Sequence, residues 1–156
     1  MSCSTDSWRG ACPRRRTPDS FSDGGRHLGP DAARERFARI AEEGAAICDV
    51  GAESTRPGAA AVPPEEQLRR LEPVFTAMDE GAPVPGSVDT SSAVVAERAI
   101  AHGAVLVNDV TAGRGVPVML DLVADRGCGI CLMHMKGDPR TMQDAPSYAD
   151  AVAEVR

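Results

Sequence analysis

Apolar positions along the chain come in two alternating patterns. Between 31 and 43, Ala33, Phe37, Ile40 and Ala41 share one face at helical spacing, and Gly44 supplies the stop. A second helix is predicted from Pro63-Pro64, with Glu65 and Glu66 in its first turn and an apolar stripe of Leu68, Leu71, Phe75 and Met78. Pro73 should kink or split it, and Gly81 marks its end. A short helix over 93–102 and another from Pro117 follow. The latter turns Leu120, Val123 and Ala124 inward and stops at Gly127. Tyr148, Val152 and Val155 open a last helix at i, i+4, i+7. Between the helices lie short continuous apolar runs, read as strands near 46–50, 84–89, 104–109 and 129–133. Pro85 and Gly86 weaken the second.

Helix, glycine, strand and polar loop thus recur four times. Strands alternating with helices mean right-handed βαβ units and a parallel sheet. Chemistry-bearing residues cluster at or just after each strand: Glu53 to Arg56, Asp89-Thr90, Asn108-Asp109, and His134 to Asp138. In a parallel sheet all four clusters fall on one edge, the edge where a (β/α)8 barrel puts its site. A complete barrel typically needs about 250 residues. The predicted fold class is therefore α/β, an incomplete (β/α)8 TIM barrel of about four parallel strands with outer helices. Residues 1–16 have no periodicity and carry Arg14-Arg15-Arg16. They read as an unmatched disordered tail ahead of a domain over 17–156.

Composition narrows the function. The 156 residues are 42% hydrophobic and 26% charged, with a net charge of −6. That balance argues against a nucleic-acid or anionic-membrane partner. No apolar run approaches the roughly 20 residues of a membrane span, and an apolar signal core is lacking, so the expected setting is cytoplasmic. Five cysteines, an odd number, suggest free thiols. Cys128 and Cys131 form a C-x-x-C, but on a strand residues three apart face opposite sides. They are expected to be two buried thiols rather than a zinc or redox site.

The loop after the first strand, Glu53-Ser54-Thr55-Arg56-Pro57-Gly58, sets a hydroxyl and a guanidinium fork in a row, a combination suited to phosphate. Asp89 could be a plain helix cap, Asn108 could tie down a strand end, His134 reads as a structural loop histidine, and Lys136 as a solvated charge. Taken together, the motifs narrow these choices. Thr-Pro-Asp-Ser-Phe-Ser-Asp-Gly-Gly (17–25), Asp-Val-Gly-Ala-Glu-Ser-Thr-Arg-Pro-Gly (49–58), Ser-Val-Asp-Thr (87–90), Val-Asn-Asp-Val (107–110) and Leu-Met-His-Met-Lys-Gly-Asp-Pro-Arg-Thr-Met-Gln (132–143) resemble, in order, the motifs of the dihydropteroate synthase family of pterin-binding barrels.

The resemblance implies a transferase of folate biosynthesis and a sulfonamide target. It joins 6-hydroxymethyl-7,8-dihydropterin pyrophosphate to p-aminobenzoate, releasing pyrophosphate through a pterin cation, with Mg2+ assisting departure. It implies catalytic roles for Asp19, which orders the closed loops, and for Thr55 and Arg56 on the pyrophosphate. Phe21 and Pro57 would wall the p-aminobenzoate pocket, Asp89 and Asn108 would hydrogen-bond the pterin ring, and Met133 would line its pocket. The family is homodimeric. The sequence also departs from the family pattern. The position of the family's metal-binding Asn is Arg15, so no metal ligand is assigned. The later Asp, Lys, Arg and His of the family site are not in the chain. Ala52 replaces a usual glycine, and Gly86 a usual branched residue. An open four-stranded arc should also be aggregation-prone. The alternatives are an inactive truncated barrel fragment, or another pterin-binding enzyme such as a methyltetrahydrofolate methyltransferase. The latter shares the Asp and Asn but not the Glu-Ser-Thr-Arg-Pro-Gly loop.

Overall fold

Helix and strand alternate as the apolar pattern predicts. The structure, a computed structural model, describes residues 29–53, 61–137, 141–142 and 145–155. In chain order the elements are α1 (Pro30–Glu42), β1 (Cys48–Gly51), α2 (Pro64–Asp79), β2 (Gly86–Asp89), α3 (Ala93–Ala101), β3 (Leu106–Asp109), α4 (Val118–Arg126), β4 (Gly129–Leu132) and α5 (Ala151–Val155). The four strands form one sheet in the order β1-β2-β3-β4, and every pairing is parallel. This is the sequential parallel arc expected of a partial barrel.

Strand alternation divides the sheet into two unlike faces. Cys48, Val50, Val88 and Val107 point to the helices and are 2% exposed or less. They join Ala33 and Phe37 of α1, Leu71, Val74 and Phe75 of α2, Val95 and Ala99 of α3, and Met119 and Val123 of α4 in a single core. The opposite face carries Asp49, Gly51, Ser87, Asp89, Leu106, Asn108, Gly129 and Cys131, as the register requires. That face is mostly polar. A parallel sheet covered on both sides would be apolar on both.

Four expectations need correction. Pro73 does not split its helix: α2 runs unbroken through it from Pro64 to Asp79. An internal proline costs about 3 kcal/mol. Leu71, Val74, Phe75 and Ala77 lie buried on either side of it, and burying a large apolar side chain contributes about 1.5–3 kcal/mol each. In α4 the inward residues are Met119 and Val123, four apart, whereas Leu120 is 43% exposed and Ala124 is exposed. The final helix is only Ala151–Val155, with none of its described side chains buried. Asp150 Oδ1 accepts from the Val152 and Ala153 N–H groups and so fixes the start after Tyr148. Lys136 is not a lone solvated charge. It pairs with Glu154 at 2.5 Å, lies 4.2 Å from the Tyr148 ring centroid and bonds the Ser147 carbonyl.

Gly86, the departure from a branched residue, has a structural counterpart. A Cβ there would lie 2.8 Å from Met78 Cε. The methionine of α2 fills the space that a branched strand residue would occupy.

Candidate functional site

The C-terminal ends of β1, β2 and β3 lie side by side. Gly51 pairs with Asp89, and Asp89 with Asn108. Two of the predicted pterin-ring residues are thus register neighbours on the open face. Met133 follows β4 directly and is half-buried, its N–H bonded to the Asp109 carbonyl at 3.1 Å. Asp19, Phe21, Thr55, Arg56 and Pro57, and the tail 1–16, lie outside the described residues.

Asp89 is not a helix cap. Ser92 takes that place, its hydroxyl accepting from the Val95 N–H at 3.5 Å. Asp89 Oδ1 is buried and has no hydrogen-bond partner among the described residues. Burial pushes the carboxyl up to about 6, and the negative charges of Asp49, Glu53 and Asp109 push the same way. A buried acceptor without a donor is rare in folded chains. This one sits where a donor-bearing ligand would complete it.

The surrounding acids are committed otherwise. Asp109 is 1% exposed and caps its own turn. Its Oδ1 accepts from the Thr111 N–H and hydroxyl, both at 2.8 Å, and its Oδ2 from the Gly113 N–H at 2.7 Å. Glu53 Oε2 accepts from the Val62 N–H at 3.1 Å and from Gln67 Nε2 at 2.9 Å. Gln67 is only 5% exposed and accepts from the Thr90 hydroxyl at 3.2 Å. One buried amide therefore joins residues 53 and 62, on either side of the Thr55-Arg56 stretch, to the residue after Asp89. Polarity alone does not single out Gln67 in the sequence. Its position one turn before Leu71 on the buried face of α2 was the available signal.

Cys131 is exposed on the open face, opposite Asn108 in the register, and Cys128 is half-buried. The expectation of two buried thiols fails because β4 is the edge of the described sheet and its inner side is uncovered. Cys48 is buried, and burial raises its thiol to about 11. Among the described residues no group of three or more His, Cys, Asp or Glu could hold a metal ion. They do not by themselves fit a Mg2+ cage.

A parallel α/β arc with acid, amide and hydroxyl side chains at one sheet end defines a barrel-type ligand-binding protein. The sequence pattern of the family described as "Pterin binding enzyme" matches residues 16–156, and the chain belongs to that family. It is similar to the dihydropteroate synthase of Escherichia coli (strain K12), 47% identical over 139 residues, which is 89% of this chain and 49% of the relative. The Mycobacterium leprae (strain TN) dihydropteroate synthase is 47% identical over 142 residues, covering 90% and 49%. Among solved structures, the Yersinia pestis dihydropteroate synthase in complex with a sulfonamide drug matches with a TM-score of 0.76 and 44% identity. That match covers 88% of this chain and 50% of that one. The Xanthomonas albilineans enzyme with 4-aminobenzoic acid matches with a TM-score of 0.69 and 51% identity, covering 88% and 48%. The chain spans about half the length of the curated relatives it matches.

Proposed function

We propose that the chain carries the pterin-ring half of a dihydropteroate synthase site. The reaction joins 6-hydroxymethyl-7,8-dihydropterin pyrophosphate to p-aminobenzoate and releases pyrophosphate. The observation that carries this reading is the buried, unpartnered Asp89 Oδ1 beside Asn108 at the end of a parallel sheet. A pterin edge alternates N–H donors with acceptors. A carboxyl and an amide set side by side are complementary to such an edge.

Phosphate chemistry falls to Thr55 and Arg56 in this reading, with Asp19 ordering the loops and Phe21 and Pro57 walling the p-aminobenzoate pocket. A guanidinium fork and a hydroxyl stabilise charge that builds on a departing pyrophosphate. Loops over the site exclude water from a reactive pterin cation. Met133 would line the pterin pocket. Mg2+, which the family reaction uses at the pyrophosphate, finds no cage among the described residues. No described helix is long and apolar enough to cross a membrane. The free thiols Cys48, Cys128 and Cys131 support a reducing, cytoplasmic setting.

A second reading, binding without turnover, is favoured by the inner face of the sheet, which the described residues leave uncovered. Two measurements on the 156-residue chain separate the readings. Quenching of 6-carboxypterin fluorescence tests the ring site, and it should be lost in Asp89→Ala and weakened but still measurable in Asn108→Ala. Dihydropteroate formation with both substrates and Mg2+ tests catalysis. Binding with no measurable turnover is the expected result. Turnover abolished by Arg56→Ala would show that these residues suffice. Absence of binding, with the fold intact, would remove the pterin reading for this chain.

A further inference from the structure

Ser87 of β2 lies between β1 and β3 on the open face, and its side chain is short. Over it the Asp49 carboxylate reaches two strands at once. Its Oδ1 accepts from the Ser87 hydroxyl, and its Oδ2 accepts from Asn108 Nδ2 at 3.4 Å. An ionised carboxylate only accepts, whereas a primary amide has one accepting end and one donating end. Turned the other way, the Asn108 carbonyl oxygen would face a carboxylate oxygen, and two acceptors would repel. The contact therefore admits one orientation of the amide.

We propose that Asp49 is a positioning residue that, braced by Ser87, fixes the Asn108 amide with its nitrogen inward. The carbonyl oxygen and one N–H then remain available on the open face beside Asp89. The proposal rests on reading that face as a pterin-ring site. It deepens that reading by saying which atoms of Asn108 meet the ring: an acceptor for a ring N–H and a donor for a ring nitrogen. Asp89, with its unfilled oxygen, takes a further donor. Asp49 touches no ligand in this scheme. It acts through Asn108.

Asn108 is the only asparagine in the chain, so 15N-asparagine labelling gives a single side-chain NH2 pair. In the free protein one proton of that pair should lie downfield and exchange slowly. In Asp49→Ala, and in the similarly sized Asp49→Leu should the alanine variant fail to fold, both protons should return to free-amide positions. An NH2 pair unchanged by a folded Asp49 variant overturns the proposal.

The ligand arm uses Cys131, exposed and paired in register with Asn108. Protection of Cys131 from alkylation by 6-carboxypterin, read by peptide mass spectrometry, reports occupancy at that spot. Asp49→Asn should weaken protection about tenfold in the wild-type background and leave it unchanged in an Asn108→Ala background. Equal weakening in both backgrounds overturns action through Asn108. No protection in the wild type, with the NH2 pair still answering to Asp49, removes the pterin reading and upholds the positioning contact.

Discussion

Replacing Asp89 by Asn should stabilise the chain at neutral pH. Its carboxyl is raised from 3.8 to about 6, first by burial and then by the charges of Asp49, Glu53 and Asp109. Between those two pH values the folded chain holds a proton that the unfolded chain has lost. Raising pH through that window therefore removes stability. At about 1.4 kcal/mol per pH unit the cost at pH 7 is at most about 3 kcal/mol. Solvent reaches part of the carboxyl, and screening reduces the figure to about 1–2 kcal/mol. Asn keeps the shape, carries no charge and can still place an oxygen where Oδ1 lies.

The assay is denaturant unfolding of wild type and Asp89→Asn at pH 4, 5, 6 and 7, compared at each pH so that other titrating groups cancel. The variant should match the wild type near pH 4, pull ahead as pH rises through 6, and lead by about 1–2 kcal/mol at pH 7. A variant less stable at pH 7, or a difference independent of pH, would refute the argument. Asp89→Ala, which has no such oxygen, should lose 6-carboxypterin binding. An oxygen that costs stability without ligand is then one whose partner arrives with the ligand.

Phe75→Ala should cost about 3–5 kcal/mol in chemical unfolding, because Phe75 is 1% exposed and stacks on His102 with ring centroids 4.9 Å apart. Gly86→Val should lower stability by meeting Met78, and Met78→Ala in the same chain should recover most of the loss; strict additivity of the two would exclude the contact. The purified chain should aggregate or bind a hydrophobic dye strongly. Leu132→Lys on the β4 edge, where Leu132 is 48% exposed, should raise the soluble fraction measured after centrifugation.

The order and parallel sense of the strands were legible because each apolar run follows a helix with a clear stop, such as Gly127 in the left-handed conformation after α4. The strand starts were less legible. Runs read from 46, 84 and 104 begin their ladders at Cys48, Gly86 and Leu106. Val84 and Ala104 are buried without belonging to a ladder. An apolar pattern reports burial, and a ladder needs a hydrogen-bonding partner as well. Pro73 does not split α2 for the converse reason: local propensity disfavours it, and the tertiary packing on both sides outweighs that. At the site, Asp89 and Asn108 stood out by motif. Gln67 and Asp49 did not, since an amide on a helix and an acid on a strand declare nothing until their partners come within reach.

The open face also explains why the second strand carries so small a residue at its centre. Were position 87 a valine, suited by propensity to a parallel strand, it would stand between Asp49 and Asn108 and hold them apart. Ser87 lets the carboxylate of β1 meet the amide of β3 across β2 and adds a hydroxyl that occupies its other oxygen. On the helix side of the same strand, Val88 is fully buried against the core. One strand thus meets two demands through its alternation, an apolar seal on one side and a polar framework on the other. Stability rests on the first. The second leaves Asp89 Oδ1 without a donor among the described residues and beside other acids, where a ligand's donor would complete it.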